Sequence, residues 1–108
     1  MMFVMDKMYE DALLFDFYGE LLTAKQKEIY EEAVLCDLSL SEVAEEHGIS
    51  RQGVHDMVKR CGKILNGYEE QLGLVRKFLL IKQKAEEIRR LTDDPEIRKI
   101  TDEILEEL

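Results

Sequence analysis

Turn-forming residues are scarce in this chain: one proline and six glycines in 108 residues. That leaves little room for the tight turns of an all-β fold, so the expected class is all-α. The two cysteines, Cys36 and Cys61, form no CxxC pair and have no histidine at ligand spacing. No cysteine-based metal site is expected from this, and the expectation is buried free thiols in a reducing cytoplasm, with no metal. The opening "MMFVM" is five residues long and is followed by Asp6. It is too short for a signal-peptide core or a bilayer span, and no other apolar run is longer, so no membrane insertion is expected.

Recognisable catalytic patterns are missing too. There is no glycine-rich phosphate loop, no HExxH and no nucleophile elbow. His47 and His55 stand eight residues apart with no carboxylate or thiol at ligand spacing. His47 reads as a helix-end residue favoured by the helix dipole. Glu31–Glu32 and Glu106–Glu107 read as solubilising pairs. The chain is expected to be no enzyme and to need no cofactor.

What the sequence does hold is helical periodicity and charge. Met8, Leu13, Leu14 and Phe17 recur near helical spacing from about Asp6 to Tyr18, where Gly19 offers a left-handed stop. Thr23 with Gln26, and Ser39 with Glu42, each spell a capping box. The first opens a helix whose apolar side carries Ile29, Ala33 and Val34. The second opens a short helix that Gly48 ends, and Ser50 caps the next.

From there no proline intervenes before Thr92, so one long helix is expected. Val58, Cys61, Leu65, Tyr68, Leu72, Val75 and Leu79 form its stripe, followed by a shifted stripe of Phe78, Ile81, Ala85 and Ile88. Gly62, Gly67 and Gly73 each weaken it by up to about 1 kcal/mol relative to alanine and mark possible bends. Asp94 and Pro95 restart a last helix, striped by Ile97, Ile100, Ile104 and Leu108, which folds back as a hairpin. Residues 1–66 thus carry the N-terminal helices and residues 67–108 the rest of the long helix and the last one, in one compact unit.

The stretch "SLSEVAEEHGISRQGVHDMVKR", Ser39 to Arg60, meets the demands of a helix-turn-helix. Ala44 is small where two helices cross, Gly48 takes positive φ cheaply at the turn, and Ile49 plugs the gap. Val43, Val54, Met57 and Val58 complete the small core. On a 100° wheel Arg51, Gln52, His55, Asp56 and Lys59 share the opposite face. Arginine and glutamine at the start of such a helix are the side chains that pair with guanine and adenine edges. The candidate nucleic-acid contacts are Arg51, Gln52, His55, Lys59, Arg60 and Lys63; a plain solvated helix face has the same composition.

Charge opposes a strong solitary DNA binder. The chain has 24 acidic and 15 basic residues, a net of -9. Two basic strips interrupt this: residues 50–63, where Arg51, Lys59, Arg60 and Lys63 face Asp56 for a net of +3, and residues 74–91, with a net of +4. A +3 strip gives weak, salt-sensitive binding to a polyanion unless a second copy doubles it. The second strip also suits charge pairing with the acidic last helix.

"LLFDFYGELLTAKQKEIYEE", "DLSLSEVAEEHGISRQGVHDMVKR" and "YEEQLGLVRKF" together resemble the YlxM family of small bacterial proteins, over roughly Leu13 to Phe78. The helix-turn-helix frame also resembles region 4 of sigma-70 factors, but Gly53, His55 and Asp56 stand where longer or basic side chains are usual there. The YlxM resemblance implies a cytoplasmic regulatory or accessory role tied to the signal recognition particle, with the particle's GTPase, its RNA, or both as partners. Two rivals are a sequence-specific DNA-binding transcription regulator and a protein-only adaptor using the motif as scaffold. The regulator would need two recognition helices about 34–36 Å apart. The apolar stripe from Tyr68 through Ile88 exceeds what a small core uses, so a homodimer is expected.

Overall fold

The computed structural model describes residues 7–108, and these form six α-helices and no strand. They are α1 (Lys7–Tyr18), α2 (Ala24–Tyr30), α3 (Leu40–His47), α4 (Arg51–Leu72), α5 (Leu74–Leu91) and α6 (Pro95–Glu107). The all-α expectation holds. The start of the first helix expected at about Asp6 lies outside the described residues. Backbone contacts divide the chain into two units, residues 1–72 and 73–108.

Local chemistry explains most helix starts in the first unit. The Gln26 amide donates to Thr23 Oγ1 at 3.2 Å while the Thr23 amide donates to Gln26 Oε1 at 3.0 Å, closing the first capping box. Ser39 and Glu42 repeat it at 3.0 and 3.4 Å ahead of α3. Gly48 ends α3 with φ 66°, a left-handed conformation that side-chain-bearing residues adopt at a cost. Ser50 then caps α4, accepting from the Gly53 amide at 2.9 Å.

Helices α1, α2 and α3 all pack on α4. Ile29, Val43 and Val54 are fully buried at the centre, with Ala44 beside them. Leu13, Leu14, Tyr18, Leu22, Tyr30, Cys61 and Leu65 extend the core towards α1. There Tyr18 stacks on Tyr68 with centroids 6.0 Å apart and donates its hydroxyl to Glu69 Oε1 at 2.7 Å.

Several sequence expectations are corrected. Gly19 is not a left-handed stop: the chain continues through a 3₁₀ turn, Gly19–Leu21, and positive φ occurs only at Asp37, Gly48 and Gly73 among the described residues. A Cβ at Gly19 would lie 3.3 Å from the Phe15 ring, so glycine is used there for space. After α2 the chain widens into a π turn, Glu31–Leu35, in which the Cys36 amide reaches back to the Glu31 carbonyl at 3.0 Å. That turn leaves Cys36 exposed, whereas both thiols were expected to be buried. Cys61 is buried, and desolvation pushes its thiol above the ordinary value.

The expected long helix passes through Gly62 and Gly67 and stops at Leu72. Gly73 takes φ 63°, and a Cβ there would meet the Arg76 guanidinium at 2.8 Å. Leu72, placed on the buried stripe by its spacing, is about half exposed.

In the second unit α5 and α6 pack together as the expected hairpin. Asp94 Oδ1 accepts from the Glu96 amide at 2.9 Å and Pro95 fills the first turn of α6. The packing line is not the expected isoleucine stripe. Thr101 is the buried residue of α6, its hydroxyl donating to the Arg98 carbonyl at 2.8 Å. Ile97, Ile100, Ile104 and Leu108 are each 38–51% exposed. A small side chain lets two helices approach closely, and the larger isoleucines are displaced to the flank.

Candidate nucleic-acid interface

The recognition face is built on the first three turns of α4. On its inner side Val54 joins Ile29, Val43 and Ala44, and Ile49, Met57 and Val58 pack around them half-buried. With Ser50 fixing the first turn, the outer side is determined by helical geometry. Arg51, Gln52, His55, Asp56, Lys59, Arg60 and Lys63 are all exposed there.

Their partners differ. Gln52 Nε2 donates to Asp56 Oδ1 at 2.9 Å, and His55 Nδ1 lies 3.6 Å from the same oxygen. Asp56 therefore draws Gln52 and His55 together. Arg51, Lys59, Arg60 and Lys63 form no ion pair or hydrogen bond among the described residues. Four unneutralised cations thus project from a helix whose inner side is locked into a core. Arg51, Gln52 and His55 also line, with Leu40, a shallow groove of about 440 Å³ where α3 begins.

The second basic strip is differently occupied. Arg89 Nε donates to Asp102 Oδ1 at 2.8 Å across the hairpin, and Lys84 lies 3.7 Å from Glu87 on its own helix. At least part of that strip is spent on the hairpin's own charge pairing.

One cluster escaped sequence reasoning. His47, at the end of α3, donates from Nε2 to Glu32 Oε2 at 2.6 Å, while Lys25 Nζ donates to its Nδ1 at 2.9 Å. The His47 side chain is only 5% exposed. It is therefore an anchor between the π turn and α3, a role beyond the helix-end preference that its position suggests. The partners lie 15 and 22 residues away, so no local spacing could reveal them.

The hydrogen bond from His47, then one shared with Glu46, holds the Glu32 carboxyl below the usual carboxylate range. Glu46 is pushed above it by that shared hydrogen bond and by the charge of Glu32. A raised folded-state value means that Glu46 favours the fold while protonated and opposes it as pH rises through that value. Glu46→Gln, which keeps a donor and removes the charge, is expected to raise the urea midpoint at neutral pH and to leave it nearly unchanged at about pH 4, near the ordinary glutamate value. Equal shifts at both pH values would contradict this sign.

No helix among the described residues is long and apolar enough to cross a membrane. A family model described as "Putative helix-turn-helix protein, YlxM / p13 like" (UPF0122) matches residues 5–106. A UPF0122 protein of Acetivibrio thermocellus is 46% identical over 114 residues, covering 96% of this chain and 97% of that protein. One from Thermoanaerobacter sp. is 50% identical over 104 residues, covering 90% and 89%. A Clostridium perfringens UPF0122 protein is 38% identical over 109 residues, covering 96% and 97%.

Proposed function

The chain belongs to the UPF0122 family of YlxM / p13-like helix-turn-helix proteins, and from that membership we propose a non-enzymatic accessory or regulatory protein of the signal recognition particle pathway, whose recognition helix contacts nucleic acid. The observation that carries the nucleic-acid part is the set of cations Arg51, Lys59, Arg60 and Lys63, exposed along the N-terminal half of α4 and unpaired among the described residues. Phosphate contacts supply affinity and orientation, and Arg51 and Gln52 in the first turn supply the groups that read base edges.

Asp56 and the net charge of -9 limit the strength of a single copy. A homodimer doubles the strip. The half-covered Ile81, Ile88, Ile100 and Ile104 of the hairpin provide apolar surface for the second copy. Sedimentation at tens of micromolar is expected to give a dimer, and Ile100→Asp with Ile104→Asp a monomer. A wild-type chain that sediments only as monomer contradicts the pairing.

The functional test is capture from lysate with the tagged full-length chain, with and without nuclease. Retention of the particle's RNA and GTPase, with the GTPase lost after nuclease, supports the proposal. A GTPase retained through nuclease and high salt replaces it with the protein-only adaptor. Enrichment of one DNA sequence and no particle component replaces it with the transcription regulator.

A further inference from the structure

We propose that Glu28, Glu32 and His47 form a binding site for a divalent transition-metal ion, a role independent of what the recognition helix contacts. One carboxylate oxygen from each glutamate and one imidazole nitrogen lie within 4.8 Å of one another. Two carboxylates and a histidine are a ligand set for zinc and neighbouring first-row ions, and three protein ligands leave a position for water. Bonds of about 2.0–2.2 Å place tetrahedral ligand atoms about 3.3–3.6 Å apart, so small side-chain rotations convert the present spacing into coordination.

The scaffold suits the site. Glu28 and Glu32 are four residues apart, one helical turn, so they share a face; His47 comes from a different helix. His47 is almost wholly buried and already aims Nε2 at Glu32, whereas Glu28 is exposed and leaves a path for the ion.

Binding rearranges two hydrogen bonds. Lys25 donates to Nδ1, so the ring proton sits on Nε2. An ion bound at Nε2 needs that proton on Nδ1 instead, a change of tautomer with no net proton lost from the ring. Lys25, exposed, turns into solvent. The Lys25 ammonium is therefore a competitor of the ion. With the ion bound, the π turn is fixed to the last residue of α3, just ahead of the left-handed Gly48, and the helix-turn-helix frame is stiffened.

The test is a thermal melt of the full chain with added Zn²⁺, Co²⁺, Mg²⁺ or Ca²⁺, alongside calorimetric titration. Zn²⁺ and Co²⁺ are expected to raise the melting temperature by several degrees at saturating excess, and Mg²⁺ and Ca²⁺ to leave it in place. Glu28→Gln, at an exposed position where folding is undisturbed, is expected to weaken Zn²⁺ binding by about tenfold or more, and His47→Gln to abolish it. Lys25→Ala is expected to tighten it, a gain that damage to the fold does not produce. Absence of binding to the wild-type chain and to Lys25→Ala overturns the proposal, as does binding unaffected by His47→Gln. A sulfur-to-cobalt charge-transfer band does so as well, because it places the ion on exposed Cys36.

Discussion

Ile29→Ala is expected to destabilise the N-terminal unit by about 2–5 kcal/mol, the usual cost of emptying a buried isoleucine site. Ile29 has no solvent exposure and touches the core from α2, where Val43 and Ala44 of α3 and Val54 of α4 converge. Its replacement removes side-chain carbons from the point where all three helices meet. Rigid helices on every side limit how far the cavity can collapse. Because a small domain has a total stability of roughly 5–15 kcal/mol, the variant loses a large share of it. The midpoint of urea unfolding, followed by circular dichroism, checks this; a loss under about 1 kcal/mol means that the three helices do not depend on this plug.

The second large effect concerns binding. Lys59→Glu with Arg60→Glu changes the charge of residues 50–63 from +3 to -1 while leaving the inner face of α4 intact. Each lost phosphate contact reduces the salt dependence of binding by about one unit of log–log slope, and repulsion by the new carboxylates adds to the loss. Nucleic-acid affinity is expected to fall by about a hundredfold or more, with the melting temperature nearly unchanged because both positions are exposed. A large loss of stability would instead assign these side chains to the fold.

What could be read from the sequence was mostly local. The capping boxes at Thr23 and Ser39, the Ser50 cap, the left-handed turn at Gly48 and the Asp94–Pro95 restart all follow from interactions within a few residues. Spacing also separated the inner face of α4 at Val54 and Cys61 from the outer face at Arg51 and Lys59. The failures are non-local or depend on backbone details that residue type does not encode.

Nothing in "EEAVL" announces a π turn. Gly62, Gly67 and Gly73 have equal propensities, yet only the third leaves the helix; buried Cys61 and Leu65 lie in the stretch that stays helical. In α6 hydrophobicity pointed to the isoleucines, but close approach of two helices selects small Thr101. The His47 anchor joins residues 15 and 22 positions away, beyond the reach of any local motif.

The central claim is that α4 offers its unpaired cations to a polyanion. Fluorescence anisotropy of a labelled nucleic acid, recorded across a salt series with the wild-type chain and the Lys59→Glu, Arg60→Glu variant, tests it most directly. Three phosphate contacts per protomer, from Lys59, Arg60 and Lys63, predict a log–log slope of about -2 to -3 for the wild type and a markedly shallower one for the variant. Binding that ignores salt, or curves that coincide for the two proteins, would contradict it.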